Sequence, residues 1–169
     1  PSTAGGSATP PGGAIESISA STVTNGTIWV GTGNGLVKLT RNSGKTWADV
    51  SIAGLPNPAR AEVNIDASHT DAASAYASID LHRVGDYAPY FFRTHDYGKT
   101  WTKILDDLPT NQPSGSFSRV IRSDTKKAGL LFAGTESGMY VSFDGAHHWQ
   151  ATQQHRPHTA YPDHTTTDP

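Results

Sequence analysis

A chain of 169 residues that is 35% hydrophobic and 17% charged holds enough apolar material for one well-filled domain, and no cysteine for a disulfide or a cysteine-ligated zinc site. Its formal net charge of −2 sets up no basic field for nucleic acid or an anionic membrane surface, and no apolar run approaches the roughly 18 residues that span a bilayer. Seventeen glycines and eleven prolines, with abundant Ser and Thr, instead favour an all-β fold of many short strands joined by turns.

In chain order, residues 1–13, PSTAGGSATPPGG, read as a flexible linker. The chain opens on Pro1 with no charged-then-apolar signal segment behind it, as expected of a processed or excised piece. Three units follow, predicted at 14–52, 60–105 and 115–151. Each begins with a short alternating segment, ESISAS, EVNIDAS or SRVIRSD, in which Ile18, Ile65 and Ile121 fall in register. Next come two alternating strands separated by a turn or loop, within TIWVGTGNGLVKLT, SAYASIDLHRVGDYAPYFFRT and GLLFAGTESGMYVS. Each unit closes on a related motif, TRNSGKTW, THDYGKTW or SFDGAHHW, followed by a fourth strand. Residues 152–169 form a polar, proline-broken tail without alternation.

The tryptophans that end the motifs, Trp47, Trp101 and Trp149, recur 54 and then 48 residues apart, close to the period of a propeller blade, and four strands per period complete the pattern. A motif repeated at blade period is structural. Asp96 accepts backbone N–H groups across a hairpin, Gly98 takes a positive φ, Thr94 and Thr100 tie the ends, and Trp101 plugs the gap between blades. Asn42 serves as acceptor in the first copy. Ala146 and His148 replace the usual Gly and Thr in the third, which predicts a looser turn there. Trp29 and the three motif tryptophans are all expected in the inter-blade core.

The motif resembles the Asp-box, or bacterial neuraminidase repeat, Ser/Thr-x-Asp-x-Gly-x-Thr-Trp, of sialidases, xyloglucan-cleaving glycosidases, sortilin-type receptors and a photosystem II assembly factor. Residues 62–104 are most similar to bacterial proteins labelled glycosyl hydrolase or sortilin-like, and the resemblance runs over about residues 15–150. It implies a β-propeller, and a secreted or periplasmic location.

Three blades are too few for a ring, so closure must come from another copy or from sequence beyond these residues; oligomerisation is the expected route, as a six-bladed dimer rather than a nine-bladed trimer. Propeller ligands bind where the loops between strands two and three, and those between blades, surround the channel mouth. There the sequence places Asp80, His82, Arg83, Asp86 and Tyr87, then Arg60 and Glu62, Glu136, and Arg119 and Arg122 on the innermost strand of the third unit. His69, His95, His147 and His148 fall at the other end. The expected catalytic residues are His82, Asp86 and Arg83. A divalent metal such as zinc would take His82, Asp80 and Asp86, with His155 and His158 if the tail folds back across the channel. Against this stands a plain structural reading, in which Asp80 and Asp86 cap turns, Arg83 pairs with one of these two carboxylates and His82 bonds a backbone carbonyl. Two functions follow from the sequence: a hydrolase acting on an ester, phosphoester or glycoside, favoured by the glycosidase resemblance, and a non-catalytic ring for a small molecule, glycan or protein segment. Sialidase activity is disfavoured, because its arginine cluster and tyrosine nucleophile cannot be mapped onto these residues.

Overall fold

A computed structural model of the chain describes residues 13–108, 110 and 116–152. They form three four-stranded antiparallel sheets, each a simple meander in chain order. The first blade comprises β1 (Ile15–Ala20), β2 (Ile28–Thr32), β3 (Val37–Thr40) and β4 (Ala48–Asp49). The second comprises β5 (Glu62–Ala67), β6 (Ala75–Asp80), β7 (Phe91–Thr94) and β8 (Thr102–Lys103), and the third β9 (Ser118–Ser123), β10 (Leu131–Thr135), β11 (Gly138–Ser142) and β12 (Gln150–Ala151). Two single 3-10 turns, Pro58–Arg60 and His82–Val84, complete the structure, and no helix among the described residues is long and apolar enough to cross a membrane.

The pairing registers bear out the repeat. Ile18 pairs with Val30, Ile65 with Ala77 and Ile121 with Ala133, so corresponding residues of the three sheets point the same way. Each blade therefore has a front face, carrying these isoleucines, and a rear face carrying the residues between them. The rear of blade one supplies Trp29, Val37 and Leu39 to a core completed by the front of blade two with Ile65, Ala77 and Phe92. Tyr76 and Phe91, on the rear of blade two, join Ile121, Ala133 and Tyr140 of blade three in a second core. Two internal interfaces thus hold three blades face to face.

Side chains also knit the innermost strands together. Ser17 Oγ donates to the Val63 carbonyl at 2.9 Å and accepts from the Ile65 N–H, while Ser19 Oγ accepts from Ala67 N–H. At the next interface Asp66, structurally equivalent to Ser19, accepts both the backbone N–H (2.8 Å) and the hydroxyl (2.7 Å) of Ser123. Such bonds satisfy edge-strand groups that would otherwise face the channel unpaired.

The repeated turn does the work predicted for it. Asp96 Oδ1 accepts from Thr94 Oγ1 and from Thr100 N–H, and its Oδ2 accepts from Thr100 Oγ1 at 2.7 Å. In the first copy the amide reverses one bond: Asn42 Nδ2 donates to Thr46 Oγ1 while Oδ1 still accepts Thr46 N–H. The third turn is not looser, contrary to expectation. Asp144 accepts from Ser142 Oγ and His148 N–H, and His148 Nδ1 donates to Asp144 Oδ2 at 2.6 Å where a threonine hydroxyl would have stood. Ala146 is held at φ 73° beside the 86° and 78° of Gly44 and Gly98, so the bond network overrides a left-handed penalty of about 1–2 kcal/mol.

Trp47 departs from the expected core. Trp101 packs edge-on against Trp29 with its Nε1–H on the Val50 carbonyl, and Trp149 is buried. Trp47 is 46% exposed, because the motif tryptophan packs against the preceding blade and the described chain has none in front of blade one.

These turns predict an acid-sensitive fold. Hydrogen bonds from Thr100 hold Asp96 down to about 2, and those from Ser51 and Lys38 hold Asp49 down to about 2. Both groups therefore stabilise the folded state fully above their unfolded value of about 4, and lose that contribution as pH falls towards 2. The urea midpoint is expected to drop over this window. Asp96→Asn, which copies the first turn, should keep the fold and make the drop shallower; an unchanged pH slope would contradict the assignment.

Candidate functional site at the channel mouth

All the β2–β3-type loops and the connections between blades emerge at one end, opposite the repeated turns. Two β-bulges shape this end. Ile15 pairs with Thr32 and Ser17 with Gly31, leaving Glu16 extra in β1; Ser118 pairs with Thr135 and Val120 with Gly134, leaving Arg119 extra in β9. A bulged residue is turned out of the alternating pattern, so its charged side chain can point at the mouth. Blade two lacks the bulge and buries Val63 at the matching position.

Between blades two and three lies a continuous polar cluster. Asp80 ends β6 and is only 6% exposed. Its Oδ1 accepts the backbone N–H of His82 at 2.9 Å and His82 Nδ1–H at 2.6 Å, while Oδ2 lies 3.4 Å from Arg119 Nη1. Arg119 turns its other nitrogens to Glu136, which occupies in blade three the position Asp80 holds in blade two; Nε and Nη2 reach Glu136 Oε2 at 3.0 and 2.8 Å. Phe117 is the apolar floor. The His82 ring stacks on it at 4.8 Å, the Arg119 guanidinium sits 4.4 Å from its centroid, and Tyr87 meets it edge-on. Because Nδ1 is committed to Asp80, the half-exposed His82 presents Nε2 as its free atom.

The expected catalytic trio is split. His82 joins Asp80 and Arg119, but Arg83 turns the other way to pair with Glu62 at 2.8 Å. Asp86 is engaged by the Ala88 N–H and the Tyr90 hydroxyl, and burial followed by this bond pushes the Tyr90 phenol up to about 12. Among the described residues no three His, Asp or Glu side chains are placed to hold a metal ion. His155 and His158 lie outside the described residues. Of the bland readings, that for Asp86 matches the structure and Asp80 caps the turn while orienting His82, but Arg83 pairs with Glu62 instead of either aspartate, and His82 bonds the Asp80 carboxylate in place of a backbone carbonyl.

A cleft of about 490 Å³ opens between blades one and two, lined among others by Glu16, Arg60, Glu62 and Arg83. The side chains of Glu16 and Arg60 form no ion pair with any described residue. Sequence reasoning missed Glu16 and Phe117. Neither carries a signal in periodicity, since a bulge adds one residue without a sequence mark and Phe117 lies just before its strand.

At the far end, Ser74 Oγ lies 2.6 Å from His95 Nδ1 and 2.5 Å from Asp71 Oδ2. The order is wrong for a nucleophile. The hydroxyl proton goes to the carboxylate, leaving the imidazole as donor rather than base. His69 bonds Thr22 and His148 bonds Asp144, so the far-end histidines serve turns.

The chain matches no known sequence family and no curated protein. Solved structures share its architecture. YCF48 from Cyanidioschyzon merolae superposes with a TM-score of 0.62 at 20% identity, over 84% of this chain and 40% of its own. A structure of YCF48 bound to D1 peptide gives 0.62 at 19% identity, over 86% and 42%. The GH74 xyloglucanase from Xanthomonas campestris gives 0.59 at 14% identity, over 84% and 24%. The chain thus spans less than half the length of these structures. With three four-stranded antiparallel sheets stacked face to face, it has the β-propeller fold and contributes three blades of it.

Proposed function

We propose that this chain forms part of a peptide-binding propeller of the Asp-box type, recognising an extended segment of mixed charge across its channel mouth. The observation that carries this reading is the alternation of sign along one face: Glu16 and Arg60 uncommitted in an open cleft, then Glu62–Arg83, then Asp80–Arg119–Glu136. A groove presenting both signs suits a peptide, whose own charges and backbone polar groups can pair with each in turn. Of the aromatic rings described on this face, Phe117 is covered by His82 and Arg119, and Tyr87 stands 54% exposed at its edge. The YCF48 structure with a peptide adds support by analogy of fold.

The test is fluorescence anisotropy with a panel of short labelled peptides of varied charge, alongside neutral oligosaccharides. Mixed-charge peptides are expected to bind, and Glu16→Gln with Arg60→Ala to weaken them about tenfold, equivalent to about 1.4 kcal/mol. Binding of oligosaccharide and of no peptide would overturn the reading.

A second reading, hydrolysis by a propeller of this kind, has one observation in its favour. Asp80 fixes the His82 tautomer as a catalytic carboxylate does, leaving Nε2 to take a proton from water, with Arg119 beside it to meet developing negative charge. In this reading Asp80 is a positioning residue. A metal-assisted version would draw further ligands from outside the described residues.

A further inference from the structure

We propose that the cleft between blades one and two is the pocket for an arginine side chain of the bound peptide, held on the Glu16 carboxylate above Gly33, with a carboxylate of the same peptide on Arg60. The proposal rests on the peptide-binding reading of the channel mouth and names the residue that this part of the mouth selects.

The repeat shows what the cleft lacks. Each innermost strand sets one charged group at the mouth: Glu16 in blade one, Glu62 in blade two and Arg119 in blade three. In blades two and three the loop after the second strand answers it. Arg83 reaches Glu62 at 2.8 Å, and Glu136 accepts from Nε and Nη2 of Arg119. The matching loop of blade one, residues 33–36, is GNGL and carries no charge. Gly33 stands in register with Glu136, and the Glu16 carboxylate lies so close over it that a Cβ there would come within 2.7 Å of Oε1. Glu16 therefore occupies a slot in which the other two blades each complete an ion pair, and the missing member is a cation. The cleft is walled by blade one, blade two and the connection between them, so its shape is set within the described residues.

A guanidinium fits this slot better than an ammonium, because its planar fork gives two parallel N–H bonds to a carboxylate. Ala14 and Val84, the latter 39% exposed, also line the cleft and offer apolar surface to the methylene stem. Arg60 is the other uncommitted charge here, so a carboxylate on the same guest completes the neutralisation. The walls are braced before any guest arrives. Gly35, at φ 80°, packs so tightly on the connection that a Cβ would come within 2.5 Å of the Pro58 carbonyl oxygen, and its N–H donates to the Ala61 carbonyl at 2.9 Å. This fastens the loop of blade one to the 3-10 turn that carries Arg60, and a site fixed in advance loses less to ordering when it binds.

The probe is a mixed-charge peptide that binds in the anisotropy panel, with each basic residue replaced in turn by glutamine. One replacement should weaken binding to the wild type about tenfold and make no further difference to Glu16→Gln, the signature of a direct pair. Glu16→Lys should prefer the peptide with glutamate in that place over the parent. Gly33→Ala needs no unusual backbone angle, and the nearest contacts of its Cβ would all be side-chain atoms of Glu16. By displacing the carboxylate it should weaken the parent peptide several-fold and leave the glutamine-substituted one unchanged, with unaltered circular dichroism. Binding in which every basic replacement costs Glu16→Gln as much as it costs the wild type would overturn the arginine pocket and leave the peptide reading standing. Binding of no peptide at all overturns that reading itself, and the pocket with it.

Discussion

Trp29→Ala is expected to destabilise the chain by about 3–5 kcal/mol, the range for truncating a large aromatic in a packed core. A domain of this size has a total stability of about 5–15 kcal/mol, so the variant would lie close to unfolding. Trp29 is fully buried on the rear of blade one, and its ring meets Trp101 edge-on at 6.2 Å. Its surroundings are already closely packed. A Cβ added to Gly98, at φ 78°, would come within 2.7 Å of Val50 and 3.3 Å of Trp29, so the turn is already wedged against this interface. Trp29→Phe should cost much less. It keeps most of the ring and removes an indole N–H that has no partner among the described residues. Denaturant titration followed by circular dichroism measures both, and an alanine variant within about 0.5 kcal/mol of wild type would contradict the inter-blade core.

The fold was legible because its signals are periodic. Alternation, turn residues and a motif with fixed internal bonds recur once per blade, and registers such as Ile65 with Ala77 follow from them. Departures arose where a residue's role depends on what lies beside its blade rather than on its place in the repeat. Trp47 closes the same GKTW stretch as Trp101 and has a different fate, because no described blade stands in front of it. His148 was misjudged as a defect because the motif names a hydroxyl, when the turn needs only a donor for the carboxylate. The site was half legible. Asp80, His82, Arg119 and Glu136 were placed at the right end, but the direction in which a loop side chain turns is set by neighbouring blades. His82 and Arg83 are adjacent in sequence and serve opposite sides of blade two.

The same dependence makes Asp80 the most informative single position at the channel mouth. Asp80→Ala is expected to cost about 1–3 kcal/mol, by orphaning the His82 backbone N–H and withdrawing one of the two carboxylates that hold Arg119. The cost stays below that of stranding a fully buried charge, because Glu136 keeps its bonds to the guanidinium and both of those groups reach water. Asp80→Asn separates stability from function. Its side-chain oxygen can still accept the backbone N–H, as Asn42 does for Thr46 in the first repeated turn, so the fold should persist with a small loss. What the amide cannot supply is a purely accepting partner on both oxygens, so the guanidinium loses a charged neighbour and the imidazole loses the anion that selects its Nδ1–H form. If His82 acts as a base, Asp80→Asn should reduce turnover by about 10²–10⁴, the range attributed to a positioned acid or base, with the urea midpoint little changed. If the mouth only binds, the same variant should change peptide affinity by less than about tenfold. A screen of ester, phosphoester and glycoside substrates with the wild type and this variant, beside a peptide titration of both, decides between the two readings. Turnover lost with the fold retained establishes the hydrolase, and wild-type binding without turnover on any substrate establishes the receptor.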